Sequence, residues 1–317
     1  MENTQQQIEV AFCLTDPKGD YVQHTAAAIA SIWENSPSTV NIHIIHDSTL
    51  TGGGKEGLET LAKKYRQRIY YYFVDKNAFE QNADQISKSG LMVSVGTLYR
   101  LKIPHILAHL TKVIYLDSDV IVNRNLAQLW MANIENYYCA AVLDSKSTRK
   151  NWRNRWAFRN MNISADYYFN AGVLYLNLEK IRHDFSLWRE TISFLIKYGK
   201  QTVFFDQDAL NYLLQKKTLF LGQNFNFIPV ALSSSDRCKE QEAIIHFAGP
   251  KPWKYRCSSY DWLYWKYFSL TPWGNTSDKL VKAQKALGID LGYALQIGVV
   301  ASRKNLLKGL QMRFNKF

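Results

Sequence analysis

Cysteine is scarce in this chain: Cys13, Cys139, Cys238 and Cys257 are the only four in 317 residues. They lie far apart and form no CxxC pair, so neither a zinc cluster nor a dense disulfide framework is expected. No apolar run reaches the length of about 18 residues needed to span a bilayer. The opening MENTQQQIEVAFCL lacks a charged-then-apolar leader pattern, so the cytoplasm is the expected compartment. Internal repeats, low-complexity tracts and recognisable nucleic-acid modules are also missing. Acidic residues are outnumbered, 27 against 39 Lys and Arg. The resulting net charge of +12 points to a polyanionic partner: nucleic acid, an anionic membrane or a phosphorylated substrate.

What is present suits a globular enzyme. Hydrophobic residues make up 47% and charged residues 21%, ordinary usage that allows a sizeable core. The aromatic share of 14% is high. Aromatic faces suit sugar rings, although aromatics also fill cores generally. The first 75 residues alternate between short apolar strands (Ile8–Leu14, Val40–Asp47, Arg68–Val74) and helical patterns (Ala26–Trp33, Leu58–Tyr65). Gly52, Gly53 and Gly54 read as a loop. Such alternation predicts βαβ units and a mainly parallel sheet. A helix is expected over Thr97–Leu110, kinked or restarted at Pro104. Further strands are expected at Lys112–Leu116, Cys139–Asp144, Phe169–Leu178 and Ala243–Phe247. Gly172, inside the third of these, suggests a bulge or close backbone approach.

Four motifs carry chemistry. Asp117-Ser118-Asp119 follows the apolar strand Lys112–Leu116, at the edge where open α/β sheets place ligands. Residues i and i+2 of an extended chain face one side, so the two carboxylates converge. A hard cation such as Mg²⁺ or Mn²⁺ would neutralise them; a turn with two solvated aspartates is the plainer alternative. His246 opens HFAGPKPW, in which Gly249 and Pro250 shape a turn and Lys251 stands between two prolines. A rigid loop presenting a cation and backbone N–H groups suits a diphosphate, and a structural loop with a surface lysine fits equally well. Asp206, Gln207 and Asp208 start a helix in FDQDALN, where acids also simply complement the helix dipole. FNAG, Phe169–Gly172, is weak on its own.

In this order and spacing, D-x-D, FNAGV-LNL, DQDALN and HFAGPKPW resemble the retaining glycosyltransferases of family 8. These include bacterial lipopolysaccharide galactosyl- and glucosyltransferases and the glycogenins. The resemblance runs from Ile8 to about Trp265, and Tyr99-Arg100-Leu101 is similar to the family's arginine segment. It implies a Rossmann-like GT-A α/β fold with a mixed, mainly parallel sheet. It also implies transfer of glucose or galactose from a UDP-hexose to a saccharide or glycoconjugate, in lipopolysaccharide or capsule assembly. Asp117, Asp119 and His246 would hold Mn²⁺, with Mg²⁺ as the alternative ion. Gly249 and Lys251 would contact phosphate, while Arg100 and Ser118 would contact the donor. Asn170 and Ala171 would line the donor sugar, Asp206 would hold its hydroxyls, and Gln207 would lie near the anomeric carbon. Thr15, Asp16, Asp20 and Tyr21 would approach the nucleotide, and Asp144 would stand at the acceptor edge. The loop TDPKGDY is longer than the family's usual one, leaving Asp16 and Asp20 as alternatives. The His246-to-Lys251 spacing is one residue shorter than in the best-known relatives.

The expected organisation is a catalytic domain over residues 1–270 and a basic extension over 271–317. After Asp278, eight Lys and Arg oppose one acid, Asp290, beside Leu306, Leu307, Leu310, Phe314 and Phe317. A basic amphipathic end suits peripheral attachment to an anionic membrane, on the inner face of the plasma membrane; a solvated helix packed on its own domain is the plainer alternative. With UDP and lipid meeting the need for anions, nucleic acid is not an expected partner. A UDP-sugar hydrolase or a sugar-nucleotide-binding protein on the same fold is the alternative function.

Overall fold

The computed structural model describes residues 7–75, 95–229, 242–254, 258 and 260–275. The basic extension beyond Asn275, Cys238 and Cys257 lie outside the described residues, so the expected membrane-binding tail does too. Cys13 and Cys139 are free thiols.

Seven strands form the central sheet: β1 (Ile8–Leu14), β2 (Val40–His46), β3 (Ile69–Phe73), β4 (Lys112–Leu116), β6 (Cys139–Leu143), β7 (Phe169–Asn177) and β8 (Thr218–Phe220). Their order is β3-β2-β1-β4-β7-β6-β8. Pairings β3/β2, β2/β1, β1/β4 and β6/β8 are parallel, whereas β7 runs antiparallel to both β4 and β6. β1, β2 and β4 are almost wholly buried, which is why they read as continuous apolar runs rather than alternating ones. A two-stranded ribbon, β5 (Val120–Asn123) with β9 (Ala243–His246), stands apart from this sheet. It brings the end of the Asp117–Asp119 turn beside His246.

Helix α1 (Val22–Asn35) is buried along nearly its whole length. Its alanine-rich middle permits close packing. Ser31 Oγ accepts from Val122 N at 2.8 Å, and Asn35 Nδ2 donates to Val122 O at 3.0 Å, which docks α1 on β5. Helix α2 (Gly52–Tyr65) starts at the glycines expected to form a loop. Thr51 Oγ1 accepts from Gly54 N at 3.1 Å, and that cap initiates the helix despite the weak propensity of three glycines. Trp273, in the short helix Pro272–Asn275, packs over Gly57, where a Cβ would come within 2.4 Å of the indole. The helix expected over Thr97–Leu110 runs as a turn at Val95–Leu98 and a 3₁₀ turn at Tyr99–Lys102, with the expected restart at Ile103–Ile106, where Pro104 stands in the first turn. Helices α3 (Trp152–Asn160), α4 (Leu187–Tyr198), α5 (Asp206–Leu214) and α6 (Asp261–Phe268) complete the layers. No helix of the described residues is long and apolar enough to cross a membrane.

The irregularity expected at Gly172 is present. The β6/β7 register shifts between Ala141 and Val142, leaving Ala171–Val173 opposite the break. The chain there turns its peptide groups toward β4: Gly172 O accepts from Asp117 N at 2.8 Å.

Candidate active site

Asp117 follows the last residue of β4, and Asp119 precedes the first of β5. His246 ends β9, in register with Val120. The sequence-expected triad is thereby brought together. One ligand atom from each of Asp117, Asp119 and His246 lies within 4.8 Å of the others. His246 Nε2 is 3.3 Å from Asp119 Oδ1 and 3.8 Å from Asp117 Oδ2. Burial opposes a charge on His246, but the two carboxylates outweigh it and hold the imidazole above its usual value. Burial likewise opposes ionisation of Asp119, but His246 and Lys251 hold it well below the usual carboxylate range.

A hydrogen-bonded chain of amides supports the triad. Gly172 N donates to Asn170 Oδ1 at 3.0 Å, which fixes the orientation of that amide. Asn226 Nδ2 donates to the same oxygen at 2.9 Å, so Asn226 Oδ1 is left facing His246 Nδ1 at 3.0 Å. His246 therefore carries its Nδ1 proton toward Asn226 and turns Nε2 to the aspartates, the arrangement that metal-binding histidines need. Asn226 gave no sequence signal, because it is one polar residue in a loop twenty positions before His246.

On the other side, Ala171 N donates to Gln207 Oε1 at 2.9 Å, and Gln207 Nε2 donates to Asp144 Oδ2 at 2.9 Å and to Tyr168 Oη at 3.2 Å. Asn170 Nδ2 also reaches Asp144 Oδ2, at 3.3 Å. Tyr168 donates to Asp208, whose other oxygen accepts from Val203 N at 2.6 Å and Phe204 N at 3.0 Å. Asp208, noted in the sequence only as a helix-start acid, thus ties down the entry to α5. Phe205 precedes α5 with φ of 50°. This is an unfavourable conformation for a bulky residue, and it turns the chain so that Asp206 and Gln207 enter the site.

Arg100 joins the two halves. Its guanidinium lies 3.3 Å from Asp117 Oδ1 and 3.1 Å from Asp206 Oδ2, and donates to Ala171 O at 3.1 Å. Asp206 is buried; desolvation raises its carboxyl to about 6, with Arg100 opposing the rise. Tyr115, legible only as a core residue of β4, donates to Asp117 Oδ1 at 2.5 Å beneath the Arg100 guanidinium.

Lys251 Nζ contacts Asp119 Oδ2 and donates to Phe247 O at 2.7 Å. Its loop is held by Trp253, which stacks on His24 of α1 with centroids 3.9 Å apart. Gly249 adopts φ of 132°, a conformation that side chains rarely accept. Among the nucleotide-loop candidates, Asp16 caps α1, accepting from Tyr21 N at 2.8 Å and Val22 N at 3.0 Å. Asp20 is exposed. Thr15 donates to buried Asp47 at 3.1 Å, as Tyr99 does at 2.8 Å. Ser118 Oγ accepts from Thr25 at 2.8 Å.

The residues fit a hard divalent cation. Two carboxylates and an imidazole nitrogen converge, and buried Asp119 Oδ1 makes no well-formed hydrogen bond among the described residues, with His246 Nε2 3.3 Å away. Gly172 also leaves room beside them: a Cβ there would meet His246 Cε1 at 2.1 Å and Asp117 Oδ2 at 2.9 Å.

The sequence model of glycosyl transferase family 8 matches residues 10–257. The chain belongs to that family. It is therefore a glycosyltransferase, and the site lies within the matched region. A putative glycosyltransferase of Haemophilus influenzae is 29% identical over 244 residues, covering 75% of this chain and 71% of that one. The lipopolysaccharide 1,2-glucosyltransferase of Escherichia coli K12 is 26% identical over 297 residues, 89% of this chain and 83% of its own. The lipopolysaccharide 1,3-galactosyltransferase of Salmonella typhimurium is 24% identical, covering 71% and 68%. Among solved structures, the galactosyltransferase LgtC in complex with donor and acceptor sugar analogues superposes with a TM-score of 0.67 at 23% identity, covering 84% of this chain and 95% of that chain. The fold is the GT-A fold, with the mainly parallel sheet expected from the sequence.

Proposed function

We propose that this family 8 glycosyltransferase is a retaining hexosyltransferase that moves glucose or galactose from a UDP-sugar to a saccharide or glycoconjugate acceptor. The observation that carries the proposal is the convergence of Asp117, Asp119 and His246 beside Gly172, with Arg100, Lys251 and Gln207 around them. Asp117, Asp119 and His246 would hold Mn²⁺ or Mg²⁺, which as a Lewis acid offsets the charge that develops on the departing diphosphate. Lys251 adds a cation on the same side. Arg100 holds Asp206 and Asp117 in place and fixes the Ala171 carbonyl, so the wall lining the donor sugar is preorganised. Asn170 and Asp206 orient the sugar.

Gln207 supports attack from the leaving group's own face. An amide is a poor nucleophile, and its oxygen is already occupied by Ala171 N. Asp206 is ion-paired with Arg100. Neither is placed as a free nucleophile, so the departing phosphate takes the acceptor proton. Asp144, bonded to Gln207, marks the acceptor edge. The two lipopolysaccharide hexosyltransferases among the relatives support a cell-surface glycan as acceptor and a cytoplasmic, membrane-facing location. The extension from residue 271 onward would assist attachment there. The test is UDP release from UDP-glucose, UDP-galactose and UDP-N-acetylglucosamine, with and without Mn²⁺. Metal-dependent release from one of the two unmodified hexose donors, stimulated by a saccharide acceptor, is expected. Release that no acceptor stimulates would favour a hydrolase.

A further inference from the structure

Most of the excursion between β6 and β7, the stretch from Ser145 to Ala165, has no part in the chemistry above, yet its surface is unusual. It holds six cations (Lys146, Arg149, Lys150, Arg153, Arg155 and Arg159) and no acid, although Arg155 pairs with Asp166, just beyond the stretch, at 2.8 Å. Helix α3 buries Ala157 and Phe158 but leaves Trp152 72% and Trp156 66% exposed. Trp152, Trp156 and Arg159 recur at helical spacing and share one face. Arg153, also exposed, lies over the Trp152 ring. Two exposed tryptophans would ordinarily be a liability, because their apolar area gains nothing in water.

We infer that this outer face of α3 is an interfacial docking surface for a membrane rich in anionic lipid headgroups. The partner is identified by charge complementarity combined with indole: cations meet lipid phosphates, and tryptophan rings settle at headgroup depth. Both indoles lie on the outer side of one helix, opposite buried Ala157 and Phe158, a placement that suits contact with a plane.

The excursion is also tied to the catalytic residues. Arg149 Nε, in the helical turn Lys146–Lys150, donates to Asp144 O at 2.9 Å, and Asn154 Nδ2 of α3 donates to Thr148 O at 3.0 Å, joining that turn and α3 to the end of β6. On the inner face of α3, Phe158 stacks on Tyr168 with centroids 4.2 Å apart, and Tyr168 Oη accepts from Gln207. A membrane against Trp152 and Trp156 would thus lie one packing layer away from Gln207 and Asp144, where a lipid-linked acceptor must arrive. That consequence rests on the proposed transferase reading; docking itself does not.

The experiment is flotation of the full chain with phosphatidylcholine vesicles, with and without phosphatidylglycerol, at low and high salt and without donor or acceptor. The Trp152→Ser/Trp156→Ser variant should partition onto anionic vesicles at least about tenfold more weakly than wild type. The Arg153→Gln/Arg159→Gln variant should lose about fivefold per charge at low salt, and less at high salt. Both should keep wild-type melting temperature and wild-type UDP release with a soluble acceptor, since all four side chains point outward. Unchanged partitioning of both variants would overturn the inference. So would a raised KM for a soluble saccharide, or lost nucleic-acid retention, with vesicle binding intact.

Discussion

Gly172 and His246 approach so closely that any side chain at 172 collides with the imidazole: a Cβ would stand 2.1 Å from Cε1. Space rather than backbone conformation demands glycine here, since Gly172 is not among the positive-φ residues. Gly172→Ala should therefore push His246 off the aspartates. Overpacking of this kind costs about 1–3 kcal/mol, so the variant should remain folded but bind Mn²⁺ weakly. Calorimetric titration of the metal checks this; wild-type affinity would show that the ring has room to shift.

Lys251 and a bound cation would compete for Asp119. Lys251→Ala should thus strengthen Mn²⁺ binding to the nucleotide-free protein while lowering turnover with UDP-sugar. The two effects have opposite signs, which general unfolding does not produce. Weaker metal binding in this variant would mean that Lys251 does not contest the site.

Asp206 gives a pH signature. Its carboxyl is raised by burial from 3.8 to about 6, so the folded state holds the proton more tightly than the unfolded chain does. The stability it contributes is fully present below pH 3.8 and is lost as pH rises through about 6. Asp206→Asn abolishes that titration. Relative to the variant, wild type should lose on the order of 1–3 kcal/mol as pH rises from 4 through 6, with the loss complete by about pH 7. Denaturant melts across that range measure it. A constant difference would place the Asp206 titration elsewhere.

Gln207→Ala removes the amide that links Ala171, Asp144 and Tyr168. Turnover should fall by about 10²-fold, the usual cost of losing one preorganised polar group, while measurable transfer persists. Mass spectrometry should find no hexosyl adduct on Asp206 or Gln207; an adduct on either would replace same-face attack with a covalent intermediate.

β1 and β4 were legible to the residue because strands buried on both sides leave an uninterrupted apolar run ending at a polar turn. The D-x-D turn and His246 were legible for the same reason, each sitting where such a run stops. The glycines before Lys55 misled, since a single capping hydroxyl from Thr51 outweighs their poor propensity. β5 and β9 form a ribbon of their own, a partnership that apolar patterning cannot distinguish from membership of the main sheet. Tyr115 and Tyr168 read as core residues, because their hydroxyls meet Asp117, Asp208 and Gln207 only once distant segments assemble. Asn226 was invisible in the same way, although it fixes the tautomer of His246.

Transfer in the proposed reaction depends on Asp117, Asp119 and His246 together holding a divalent cation. The most direct test is hexosyl transfer by metal-stripped protein titrated with Mn²⁺, wild type beside Asp119→Asn, with circular dichroism confirming that both are folded. EDTA should abolish wild-type transfer, Mn²⁺ should restore it, and the folded variant should stay inactive at every Mn²⁺ concentration that saturates wild type. Full wild-type activity in EDTA would contradict that dependence.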